Sequence, residues 1–325
     1  MFAAGVKTSV AALFTALVLT VTAACTGGDG LSPSPRSSSP SDAGRPAGVL
    51  AVKIDNVASA RPHTGLEQAD IVYVEQVEAG LSRILAVYSS GLPLVIGPVR
   101  SARETDLELL RQFGRPTLAF SGAQSRLLPV IDRAPLEAVP PSKAPGAYFR
   151  GQDRPAPHNL YLRPERIPFT ASGVDAVEEL GLRAGSPPPG GEPADSRTVR
   201  YPSASVTFTW SAERDRWLVS LDGSPARTAD GTQIGAGTVV VQDVTVRPSD
   251  FSDRSGSVTP FTETVGSGSA VVLRDGRTYD ARWSRSAAEA DTVFTGPDGR
   301  GVDLAEGPLW ILYAARGGAG STAGG

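Results

Sequence analysis

The chain has 325 residues, with 31 Lys and Arg against 34 Asp and Glu and a formal net charge of −3, so it lacks the basic footprint of a nucleic-acid-binding protein. Its single cysteine excludes a disulfide framework and any cysteine-based metal site. Neither a Walker loop nor a dinucleotide-binding glycine fingerprint occurs, so no cofactor and no metal is expected.

The chain opens "MFAAGVKTSVAALFTALVLTVTAAC", where Lys7 is the only charge before an apolar run from Val10 to Ala24. That pattern predicts a secretory signal over residues 1–25 rather than a transmembrane helix, which needs about 20 apolar residues. Cys25 follows Thr22-Ala23-Ala24 and resembles the lipobox of bacterial lipoproteins, although Thr22 stands where a branched apolar residue is usual. Acylation at Cys25, with chains such as palmitate, would make membrane lipid the first partner and place the protein on the outer face of the cytoplasmic membrane. Two or three acyl chains, at about 0.8 kcal/mol per buried methylene, anchor stably where one does not. Residues 26–48, "TGGDGLSPSPRSSSPSDAGRPAG", are too polar and too rich in Gly, Ser and Pro to form a core, and read as a disordered tether.

Residues 49–182 read as a mixed α+β domain. "GVLAVKIDN", "ADIVYVEQVEAGLSRILAVYS", "LPLVIGP" and "RPTLAF" have strand character. "IGPVRSARETDLELLRQFG" predicts a strand-to-helix junction. Ser101 and Glu104 form a capping-box pattern, Leu107, Leu110 and Phe113 an apolar stripe, and Gly114 a stop before Pro116. A second helix is expected at "GVDAVEELG", with Val174, Val177 and Leu180 on one face. Residues 183–198, rich in Pro and Gly, read as a linker. Residues 199–316 are strand-rich: "SVTFTW", "RWLVSL", "GTVVVQDVTV", "SAVVLRDGRTYDARW" and "GPLWILYAA", with Asp275-Gly276 suited to a type I′ hairpin. The tail 317–325 reads as disordered. The predicted architecture is α+β: a mixed sheet with a few helices in the first half and a strand-rich second half, packed as a layered sandwich.

Polar residues cluster among these strands. Lys53 and Asp55 share one strand face, followed by Asn56 and a turn at Arg61-Pro62. "SARPHTGLEQAD" adds His63, Glu67 and Asp70; "VEQVEAGLSR" adds Glu75, Glu78 and Arg83; the junction adds Arg100, Arg103 and Asp106; "RPAPHNLY" adds Arg154, His158 and Asn159. Arg100 and Arg103 sit near a helix start, where the partial charge is already positive, so they require an anion. It is either internal, with Glu78 or Asp106 as candidates, or an external carboxylate or phosphate. His158 is a candidate base with Glu78 or Asp70, or a structural turn residue. Glu75 and Glu78, three residues apart, fall on opposite faces if the strand continues through both.

The ordered motifs "VKIDN", "ARPHTGLEQADIVYVEQVEAGLSRILAVY", "IGPVRSAR" and "PHNLY" resemble the amino-terminal domain of the YerB-like lipoprotein family. "RWLVSLDG", "GTVVVQDV", "LRDGRTYDARWSR" and "EGPLWILY" are similar to its carboxy-terminal domain. In this family Gln often stands at His63, Glu at Val74 and a second Gly at Ala79. The resemblance implies a tethered, extracytoplasmic α+β protein and no established reaction. Lys53, Asp55, Asn56, Arg61, Asp70, Glu78, Arg83, Arg100, Arg103, His158 and Asn159 are therefore carried as a ligand-binding or buried ion-pair network. A non-catalytic binding or regulatory role at the cell envelope is expected, with a wall polymer or an envelope protein as partner. A wall hydrolase using His158 with Glu78 and a passive scaffold are the alternatives.

Overall fold

The computed structural model describes residues 48–252, 256–316 and 322–324; the expected signal segment, Cys25 and the tether up to residue 47 lie outside them. The first segment contributes strands β1 (Leu50–Asp55), β2 (Ile71–Gln76), β3 (Ser82–Tyr88), β4 (Thr117–Ala119), β5 (Glu137–Ala138), β6 (Tyr148–Arg150) and β7 (Leu160–Leu162). Its helices are α1 (Glu104–Leu109), α2 (Leu128–Arg133) and α3 (Ala176–Glu179). Beyond residue 182 the described regular elements are all strands. They are β8 (Glu192–Pro193), β9 (Ser196–Tyr201), β10 (Ala204–Ser211), β11 (Arg216–Leu221), β12 (Ser224–Pro225), β13 (Gly235–Ala236), β14 (Thr238–Val244) and β15 (Val246–Ser252). β16 (Val258–Thr262), β17 (Gly266–Arg274), β18 (Arg277–Arg285), β19 (Val293–Thr295), β20 (Leu309–Ala315) and β21 (Thr322–Gly324) complete the series.

Eleven strands form one mixed sheet in the order β19-β18-β17-β14-β20-β2-β3-β1-β4-β5, with β8 added beside β18. The two sequence segments therefore share a sheet: β20, near the end of the chain, lies parallel to both β14 and β2. The stretch 183–198, read as a linker, supplies β8 and the opening of β9, and β21 from the tail pairs antiparallel with β9. A smaller sheet in the order β12-β11-β10-β9-β21, with β13 beside β11, lies over one face of the large sheet. Alternation decides which side chains meet there. Leu50, Val52 and Ile54 of β1 and Trp310 and Leu312 of β20 face Val206, Phe208, Trp217 and Val219 of the small sheet. The opposite face carries Ala51, Tyr73, Leu85 and Ile311 and is covered by Leu107, Leu109, Leu110, Phe113, Ile131 and Val177 from the helical segments. The result is a layered α+β sandwich of small sheet, large sheet and helices.

Several local expectations are corrected. The N-cap of α1 is Arg103, not Ser101, because Ala102 N–H pairs with Gly122 O and holds the chain extended through Arg103 (φ −127°, ψ 163°). Leu107, Leu110 and Phe113 are buried as the stripe requires, and Gly114 (φ 70°) ends the following turn. Val174 is 44% exposed and precedes the N-cap Asp175, whose carboxylate accepts from Val177 N–H, so α3 buries only Val177 and Leu180 of the expected face. "LPLVIGP" forms bridges at Ile96 and Gly97 but no strand, since Pro93 and Pro98 have no N–H to donate. The Asp275-Gly276 hairpin forms as expected, with φ of 51° and 68° at its two central residues.

Trp310 is fully buried on the strand that joins the two segments, and its ring meets Phe208 edge-on at 5.8 Å. Trp310→Ala is expected to cost about 3–5 kcal/mol. Because the sheet is shared, urea unfolding should remain one transition by both tryptophan fluorescence and far-UV circular dichroism. Two separated transitions would show that the segments fold independently.

Candidate functional site

Pairing register brings the charged residues together. Asp55 on β1 and Glu75 on β2 both lie opposite Arg83 on the intervening β3, so Glu75, Arg83 and Asp55 form one row across three strands on the helix-covered face. Lys53 stands two residues before Asp55 on the same face. Its Nζ, with no exposed side-chain surface, donates to Asp106 Oδ1 of α1 at 2.6 Å and makes a short hydrogen bond to Glu75 Oε1. Burial pushes the Glu75 carboxyl above the usual range, with Lys53 opposing the rise and Asp106 adding to it. Asp106 also accepts the Arg103 backbone N–H at 2.7 Å, so α1 is capped from within by its own carboxylate.

The two junction arginines are used differently. Arg103 grips Glu78 as a fork, Nε to Oε1 at 2.7 Å and Nη2 to Oε2 at 2.6 Å, while its Nη1 donates to the carbonyls of Ser101 and Ala102. Glu78 also accepts from Thr259 of β16 at 2.6 Å. Burial alone would raise the Glu78 carboxyl, but the Arg103 fork and Thr259 outweigh it and hold the group below its usual range. Arg100 Nε lies 3.0 Å from Asp55 Oδ2, within ion-pair reach, yet this N–H has no aligned hydrogen-bond acceptor. Arg83 is 6% exposed, makes no ion pair among the described residues, and leaves its Nε without a partner. Among the described residues its one side-chain hydrogen bond is long, 3.5 Å from Nη1 to Ser101 O. Burial, with Arg103 and Arg100 nearby, lowers its guanidinium to about 10, so it remains charged at neutral pH.

The arginines and Glu78 line a cavity of about 1220 Å³, and Lys53, Asp55, Glu75 and Asp106 lie behind its wall. Arg83, Arg100, Arg103 and Glu78 occupy one part of its wall. Ser121 to Ser125 and Tyr148 to Arg150 contribute others, and Phe251, Ser252 and Thr259 close it from the β15–β16 hairpin. The second segment thus completes a cavity whose charges come mostly from the first. That contribution carries no charged motif of its own, and only tertiary pairing reveals it.

The remaining predicted residues have structural partners. His158 does not meet Glu78 or Asp70; its Nδ1 lies 2.8 Å from Asp55 Oδ2. Asp70 instead accepts from the backbone N–H groups of Ser89 and Ser90 at 2.6 and 3.0 Å. Arg61 ties β1 to the small sheet through Asn56 O and the Asp222 carboxylate, and Asn56 Nδ2 donates to Ser82 Oγ. Asn159 joins Gly151 O and Arg150. Glu75 and Glu78 do not fall on opposite strand faces: β2 ends at Gln76, and a turn with Ala79 (φ 57°) and Gly80 (φ 69°) swings Glu78 toward Arg103. Glu75 is the other-strand carboxylate that holds Lys53, and its spacing from Lys53 becomes meaningful only once β3 separates their strands. Among the described residues no group of three or more His, Cys, Asp or Glu side chains could hold a metal, and no helix is long and apolar enough to cross a membrane.

The chain belongs to the family described as "Protein of unknown function (DUF3048)". Residues 34–176 match its N-terminal domain and residues 197–311 its C-terminal domain. A particular relative is "Putative lipoprotein YerB" of Bacillus subtilis (strain 168), 44% identical over 64 residues, which is 20% of this chain and 19% of that protein's length. The crystal structure of YerB protein from Bacillus subtilis shares the fold with a TM-score of 0.70 at 19% identity, covering 86% of this chain and 94% of that one.

His63 supplies a pH test of the scaffold beneath the site. It is buried, its Nε2 lies 2.8 Å from Asp55 O, and burial lowers its imidazole to about 4. Between pH 6.5 and 4 the unfolded chain therefore binds more protons at this residue. Its contribution is fully present above pH 6.5 and is lost as pH falls toward 4, amounting to about 3 kcal/mol. In His63→Gln the loss of stability over that window, measured by urea denaturation, should be smaller by that amount.

Proposed function

We propose that this protein is a lipid-anchored, extracytoplasmic envelope protein whose cavity holds an anionic group of a wall component, without chemical turnover. The observation that carries the reading is Arg83: a nine-tenths buried cation with no ion-pair partner among the described residues, on a cavity wall beside Arg100. A buried charge is costly unless paired, and a guanidinium pairs best with a planar or tetrahedral oxyanion. Arg103 is the poorer receptor, because Glu78 and two carbonyls already use four of its five donors. Two observations weigh against a hydrolase using His158 and Glu78. His158 Nδ1 is engaged by Asp55 and the residue does not line the cavity, and both Glu78 oxygens are held by Arg103. The name of the YerB relative supports lipid anchoring through Cys25.

Calorimetric titration of the full-length protein in detergent with inorganic phosphate and with acetate tests the site. Arg83→Gln should weaken binding about 10- to 100-fold, the loss of one charge-assisted hydrogen bond worth about 1.5–3 kcal/mol. Arg103→Gln should chiefly lower stability, since it leaves Glu78 unpaired. Equal affinity in the wild type and Arg83→Gln would refute the anion site. Incorporation of labelled fatty acid should be lost in Cys25→Ala, and its persistence would refute the anchor.

A further inference from the structure

The cavity has a second cationic point. Arg150, on β6, lines it and makes no ion pair among the described residues; its one hydrogen bond runs from Nη1 to Asn159 Oδ1 at 2.8 Å. The register fixes its place. Arg150 pairs with Leu160 of β7, and Leu160 O accepts from Val99 N–H at 2.6 Å, one residue before Arg100. Two interstrand spacings therefore separate the backbones of Arg150 and the Val99–Arg100 segment, about 10 Å. The cavity lining is also rich in uncharged hydrogen-bonding groups: Ser101, Ser121, Gln124 and Ser125. Ser121 N–H pairs with Arg100 O and Ala102 N–H with Gly122 O, which sets this loop alongside the arginines. The cavity is also far larger than one phosphate or carboxylate, exceeding the roughly 300–1,000 Å³ of drug-sized sites.

The carboxylates on the same wall limit what can lie between the two cationic points. Glu104 accepts from Ser249 at 2.5 Å through Oε2, and Glu78 is fully engaged. Closely spaced negative groups would be repelled there, whereas hydroxyls would be accepted. We infer that the cavity takes a segment of a linear polyanion in which phosphate groups are separated along an oxygen-rich polyol or sugar chain. One phosphate sits at Arg83 and Arg100 and the next at Arg150. This rests on the anion reading above and adds to it the repeat and the hydroxylated spacer.

The test compares four probes on full-length protein in detergent: inorganic phosphate, a synthetic trimer of glycerol phosphodiesters, a hexa-aspartate peptide, and phosphatidylglycerol vesicles. The trimer is expected to bind tightest. Arg150→Gln should weaken trimer binding about three- to tenfold, the scale of one partly exposed charge contact, and leave inorganic phosphate unchanged. Arg83→Gln should weaken both, and Arg83→Lys should restore part of the phosphate affinity if Arg83→Gln is itself poorly folded. Trimer affinity no better than that of phosphate, or insensitive to Arg150→Gln, overturns the two-point inference while the single anion site stands. Tighter binding of the peptide or of the vesicles overturns the polyol-phosphate assignment. Binding of none of the probes overturns the anion site and this inference together.

Discussion

Lys53 sits between Glu75 and Asp106 with no access to solvent, and the geometry of the charged cavity follows from how that cation is held. Burying an ammonium is costly unless its partners are well placed, and removing the lysine would leave two buried carboxylates without their cation. Its two carboxylates come from β2, on the far side of β3, and from α1, so the pair locks the helix onto the central strands. Asp106 is shared: one oxygen takes the lysine and the other the Arg103 N–H. That double use sets where α1 begins, and from there Arg103 reaches Glu78. Lysine is the better fit at this point, because a compact ammonium serves two converging carboxylates where a planar guanidinium would need a wider, coplanar arrangement.

Around this pair, arginines of identical chemistry take different roles according to what is left over. Arg103 spends four of its five donors on a carboxylate and two carbonyls. Arg100 is half used by Asp55, and Arg83 has neighbours in its row but no bond to them, because Glu75 is drawn to Lys53 and Asp55 to His158 and Arg100. The unspent positive charge is therefore concentrated at Arg83. It is a consequence of competition among neighbours and not of any excess of basic residues, since the whole chain is slightly acidic.

The second segment matters to the site through β20 and the β15–β16 hairpin. β20 inserts between β14 and β2, making the strand that bears Glu75 an internal one. The hairpin delivers Thr259 to Glu78, Ser249 to Glu104 and Phe251 to the cavity wall. In this joint construction neither segment lines the whole cavity by itself.

Much of the scaffold was legible along the chain. Period-two alternation in "SVTFTW" and "RWLVSL", the Asp275-Gly276 turn and the Leu107–Leu110–Phe113 stripe report local backbone geometry, and each took the predicted form. The charged residues were legible as a set, since Lys53, Asp55, Glu78, Arg83, Arg100, Arg103 and His158 stand out against apolar strands. Their pairing was not. Asp55 with His158 spans 103 residues and Thr259 with Glu78 spans 181, and such contacts depend on strand order and register, which no local period encodes. The turn at Ala79 and Gly80 likewise moved Glu78 off a strand that simple alternation would have continued. Sequence by itself determined which residues would be buried and which would carry charge, because burial and helix or strand period are local properties. Tertiary structure alone decided which charges cancel and that Arg83 does not, because cancellation depends on distances set by the assembled sheet.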